Sequence, residues 1–222
     1  MVKRRKKTNW EPVSFSHPVF RPYTTALGQI ALAWNNFHSQ MALLFCTVMG
    51  GGYANQFLAI WHALKNDAAQ RDILEAAAKE ARENREYESE LGKKLIEEIH
   101  WINVRSREIA DLRDDALHSP LWGEGGIRNR VLPVTGLGHV RAQKLMDAES
   151  KRGLLTEFRW CRDAALVLTD YVRDIDDVLS GRVRKPWPQR PALPNRGQTK
   201  SGQRTPRVRQ AKRLPPPRSS RG

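Results

Sequence analysis

The chain has 222 residues and a formal charge of +14, but the excess sits at its ends: residues 1–7 hold five cations, residues 182–222 hold thirteen, and neither stretch contains an acid. The remainder, residues 8–181, carries 20 basic and 24 acidic residues and is mildly acidic. This length accommodates one domain of about 150–170 residues with extensions and excludes a multidomain enzyme, while two cysteines without metal-type spacing, Cys46 and Cys161, exclude a disulfide scaffold or zinc finger and suit a reducing cytoplasm.

Residues 1–21 read as a basic, extended N-terminal arm. Its cations are not followed by an apolar stretch, so it does not resemble a secretory signal, and Pro12, Pro18 and Pro22 keep the lead-in extended. From Thr24, apolar residues at three- and four-residue steps, from Leu27 through Trp34 and Phe37 to Val48, predict a long helix with a wide buried stripe. Gly50, Gly51 and Gly52 end it, and a short second helix carries Phe57, Ile60, Trp61 and Leu64. The whole of 22–64 lacks Asp, Glu, Lys and Arg, but its longest apolar run, 41–49, is far short of the roughly 20 residues that span a bilayer, so no membrane partner is expected.

Asp67 is the expected cap of a third helix through Ile73, Leu74, Ala77 and Ala81. A fourth begins near Glu86 and runs through Leu95, Ile99, Ile102, Ile109 and Leu112 to a stop at Ser119-Pro120. Residues 121–138 are glycine-rich, with a small hairpin around 127–134, and 139–151 form a short helix. Thr156 is the expected cap of a last long helix carrying Phe158, Cys161, Ala165, Leu168, Val172, Ile175 and Leu179, closed by Gly181. The fold class is therefore all-α: a bundle of four long helices plus short ones in residues 22–181. The proline- and arginine-rich tail, residues 182–222, has almost no large apolar side chains and is expected to be disordered.

The fourth helix ends in Arg113-Asp114-Asp115-Ala116-Leu117-His118. An arginine, a polar residue, three more positions and a histidine at a helix end resemble the signature of the HEPN superfamily, and Leu27-Gly28, Trp34 and Leu43-Leu44-Phe45 resemble first helices of HEPN-like proteins. The resemblance implies a homodimer that cleaves RNA without metal or other cofactor, the two motifs meeting across the interface, with possible protein regulators and a defence or toxin role. His118 would be the acid/base and Arg113 the phosphate clamp, with Asp114 favouring a charged His118. Residues five apart lie about 140° around a helix, so bringing both to one phosphate requires the helix to unwind near Ser119-Pro120 or the second subunit to supply the partner, and the composite dimer site is the natural solution. Members often have glycine soon after the histidine, where this chain has Ser119-Pro120.

Other chemistry is weaker. Glu97-x-x-His100 and Asp115-x-x-His118 have di-iron spacing, but the 22–64 segment has no carboxylate to complete a site. Trp34, Trp61, Trp101 and Trp160 fit core positions, whereas Trp122 beside the glycine loop is a candidate base-stacking platform. The cationic tail, through Arg182, Arg184, Lys185, Arg204, Arg207, Arg209, Lys212 and Arg213, is the expected contact for RNA or other nucleic acid. The alternative function is a non-catalytic nucleic-acid-associated or protein-interaction module on the same bundle.

Overall fold

Pro22 does not keep the lead-in extended: it lies in the first turn of a helix that starts at Arg21, where a missing N–H has no partner to lose. The computed structural model describes residues 14–83, 89–124, 130–183 and 186–196. In chain order these form a 3-10 turn at Pro18–Phe20, α1 (Arg21–Val48), α2 (Ala54–Ala63), α3 (Asp67–Glu83), α4 (Ser89–His118), a hairpin of β1 (Leu121–Glu124) and β2 (Arg130–Pro133), a second 3-10 turn at Gly136–Gly138, α5 (Val140–Arg152) and α6 (Leu154–Leu179). The expected fourth-helix start at Glu86 lies outside the described residues. No helix among the described residues is long and apolar enough to cross a membrane.

The turns follow from local chemistry. At the end of α1, Gly50 (φ 88°) and Gly51 (φ 70°) take left-handed conformations. Their N–H groups bond back to the Thr47 carbonyl at 3.0 Å and the Cys46 carbonyl at 2.9 Å, a Schellman closure that satisfies the last carbonyls. Two caps differ from expectation. Asn66, not Asp67, caps α3, accepting from the Ala69 N–H at 2.8 Å, which leaves the Asp67 carboxylate free for tertiary contacts. Thr156 lies inside α6, which starts at Leu154; its cap position is Gly153 at φ 83°, and the Glu149 side chain of α5 accepts from the Leu154 N–H.

The core is shared by α1, α3, α4 and α6. Ile30, Phe37, Met41 and Leu44 of α1 meet Ile99, Ile102 and Ile109 of α4 and Phe158, Leu168 and Val172 of α6, each buried side chain contributing about 1.5–3 kcal/mol. The largest shared interface joins α1 to α6. Those two helices run parallel, because Gln29 meets Arg162 near their starts and Thr47 meets Asp176 near their ends. Helix α4 runs opposite to α6, pairing Glu98 with Tyr171 and Ile109 with Cys161. Trp34, Trp61 and Trp160 are buried as core positions predict. The hairpin pairs Trp122 with Leu132, and Trp122 is half-buried there.

The tail departs most from expectation. Residues 186–196 are not free: they run back as an extended strap along the groove between α4 and α6, with Trp187 and Leu193 packed on the core. Arg190 bonds Glu98 at 2.7 Å, the Pro194 carbonyl accepts from the Trp160 indole at 2.8 Å, and Arg196 bonds Glu157 at 3.0 Å and Glu108 at 3.1 Å. Composition predicts disorder from the average of a segment; side chains that find buried acids overrule it locally.

Candidate functional site

The C-terminal half of α4 brings Arg113 under the start of α3 and against α1. Its guanidinium lies 4.8 Å from the Trp34 ring centroid, a cation–π contact. Nη1 donates to Asp67 Oδ2 at 2.8 Å, while Nε (2.9 Å) and Nη2 (2.5 Å) donate to Asp114 Oδ1. Two carboxylates and an indole therefore fix the plane of this fork. Asp114, expected to act on His118, turns to Arg113 instead.

His118 is the last residue of α4 and is exposed, and no described residue bonds its ring. The exposed apolar side chains of Leu117 and Val140 belong to the same end of the molecule. The helix stays regular to its end, with the Ser119 N–H on the Asp115 carbonyl at 3.1 Å. It does not unwind to turn His118 toward Arg113, and the two remain about 140° apart around the axis. On another side of α4, Glu108, Asp111, Asp115, Lys144 and Arg196 line an open groove of about 290 Å³ whose mixed charge does not favour a phosphate. Among the described residues, no group of three or more His, Cys, Asp or Glu is arranged to hold a metal ion.

Of the predicted nucleic-acid contacts, Arg182 is engaged with Asp176 at 3.1 Å and Asp177 at 3.2 Å. Arg184, Lys185, Arg204, Arg207, Arg209, Lys212 and Arg213 lie outside the described residues.

Behind Arg113 is a polar network that sequence reasoning missed. Asp67 Oδ2 also accepts from Trp34 Nε1 at 2.8 Å. Burial opposes the Asp67 charge, but nearby His38, the indole donor and Arg113 outweigh it and hold the carboxyl below its ordinary range. Gln70 donates to the Trp61 carbonyl at 3.1 Å, so its oxygen faces His38 Nδ1 at 2.9 Å. That assigns the ring proton to Nδ1 and leaves Nε2 as a buried nitrogen with no hydrogen-bond partner among the described residues, 3.8 Å from Asp67 Oδ2. Arg71, one turn after Asp67, is also buried, and its Nη1 makes no hydrogen bond among the described residues. The available signal was a lone histidine one turn after Trp34 in a helix without charges after Arg21.

Burial lowers the His38 pKa below 6.5 against the opposing pull of Asp67 and Gln70, with Arg71 and Arg113 adding to the lowering. The unfolded chain then binds more protons than the folded one just below that value, so stability falls as pH drops through it. Thermal unfolding between about pH 7.5 and 5 is expected to show this decline, and His38→Gln to flatten it; an unchanged slope would assign the decline to other groups.

No family model matches the chain, and neither a curated protein nor a solved structure is significantly similar to it.

Proposed function

We propose that the chain is a metal-independent endoribonuclease of HEPN type whose active site forms when two copies meet at the ends of their α4 helices. The observation that supports this most is His118: an exposed imidazole without a protein partner among the described residues, close in sequence to an arginine held rigidly by Trp34 and Asp67. Because one chain directs the two groups to different sides of α4, a second copy completes the arrangement. One His118 takes the proton of the RNA 2′-hydroxyl as its oxygen attacks phosphorus. The second copy's His118 gives a proton to the departing 5′ oxygen, leaving a 2′,3′-cyclic phosphate and a 5′-hydroxyl. Arg113 stabilises the charge that develops on the phosphoryl oxygens.

The second reading, a non-catalytic module that binds nucleic acid or protein, is favoured by the occupancy of Arg113: Asp67 and Asp114 already neutralise it, and a phosphate must displace one of them. Full-length protein, His118→Ala and Arg113→Ala assayed on single-stranded RNA with a chelator separate the two. The expected result is cleavage to cyclic-phosphate ends, reduced at least about a hundredfold by His118→Ala. No cleavage by folded wild type, or equal cleavage by all three proteins, would overturn the catalytic reading.

A further inference from the structure

We infer that the groove between α4 and α6 is a recognition site for a proline-spaced cationic peptide, and that residues 186–196 are its cis-bound ligand. This rests on the strap and groove alone and is independent of any activity at His118.

The strap carries Pro186, Pro188, Pro191 and Pro194, a spacing that keeps a chain extended and limits the entropy lost on docking. Its anchors are mostly side chains. Arg190 lies over Trp101 at 5.9 Å while bonding Glu98, and Arg196 lies over Trp160 at 4.7 Å while bonding Glu157 and Glu108. Each arginine thus meets the same pair of features, an aromatic face and a carboxylate. The six-residue interval between them sets the reading frame, and Trp187, beneath Lys94 at 5.6 Å, marks the start. The Trp187 indole nitrogen is buried without an acceptor among the described residues, so the arginines fit better than the tryptophan.

The groove has its own internal support. Glu98 also accepts from the Tyr171 hydroxyl at 2.7 Å, Trp101 packs edge-on against Tyr171 at 5.5 Å, and the fully buried Glu157 is also paired with Arg152. If the strap left, both buried carboxylates would keep a partner and the aromatic wall would stay braced. An element of the core would leave orphaned acids behind. A groove whose two carboxylates retain partners, with only the Trp160 indole N–H giving up its strap acceptor, is a preformed site, and a short tether holds its own ligand there at high effective concentration.

The test keeps the whole chain and replaces residues 184–185 with a specific protease site. After cleavage, the fragment beginning at 186 is expected to co-elute with the bundle in gel filtration at low salt. Excess synthetic peptide of sequence 186–196 should displace it without loss of helical circular dichroism. The same peptide with Arg190→Ala and Arg196→Ala should displace it at least about tenfold less well. Four outcomes would overturn the inference: a bundle that unfolds as the fragment leaves, a fragment that neither stays nor can be replaced by peptide, a fragment that excess peptide cannot displace, or equal displacement by both peptides. A concentration-dependent dimer formed by uncut chains exchanging straps would replace the cis assignment with a swapped one.

Discussion

Replacing Asp67 with alanine is expected to lower stability by about 2–3 kcal/mol, a large effect for one partly exposed side chain. The cause lies in Trp34, only 2% exposed, whose indole N–H has Asp67 as its acceptor. Removing the carboxylate leaves that donor buried and unpaired. Arg113 loses one of two carboxylates but keeps Asp114. The two contributions are separable, because Trp34→Phe removes the donor as well. The double variant Asp67→Ala with Trp34→Phe should therefore be less destabilised than the sum of the single changes by about 1 kcal/mol or more. Urea unfolding reads this as a lower midpoint with unchanged slope. A single Asp67→Ala variant within about 0.5 kcal/mol of wild type would show that the carboxylate does not hold the Trp34–Arg113 pair.

The second large effect is expected from a pair of arginines. Glu157 is fully buried and bonded by Arg152 from α5 and Arg196 from the strap. Either arginine alone can neutralise it, so each single alanine variant should cost roughly 1–2 kcal/mol. Losing both strands a carboxylate in the core, and Arg152→Ala/Arg196→Ala should cost about 3–5 kcal/mol, more than the sum of the singles. Glu157→Gln added to the double variant should restore part of that loss, because an amide carries no charge to desolvate. Purely additive arginine effects would mean that water reaches the unpaired Glu157 carboxylate.

The helices and their buried faces were legible because they rest on local periodicity. The stripe from Phe158 to Ile175 is buried as its spacing predicts, and the glycines at 50, 51 and 181 close helices where left-handed backbone is needed. The start of α6 was not legible: its first N–H is satisfied by Glu149 from the preceding helix, and a contact from another element leaves no mark in the helix's own pattern. Asp67 has the sequence position of a cap, but Asn66 takes that task and Asp67 reaches Trp34 and Arg113, distant in sequence. The strap was hidden for the same reason. Arg190 and Arg196 look like members of a uniform cationic tail until the buried Glu98 and Glu157 and the exposed Glu108, all distant in sequence, are brought beside them. Of the candidate site, the residue types at Arg113 and His118 were legible. The ion pairs that engage Arg113 required the tertiary fold.

The parallel packing of α1 on α6 also bears on how the chain is made. The first long helix, without a single charged residue after Arg21, finds its largest partner only in the last helix. About a hundred residues of chain separate the two, which at a synthesis rate of roughly 5–20 residues per second is a delay of about 5–20 s. Over that interval the apolar stripe of α1 has only α2, α3 and α4 to cover it. A half-made chain therefore shows the cell an uncharged, adhesive helix, and this protein should depend on nascent-chain chaperones more than a bundle whose helices pair in order of emergence.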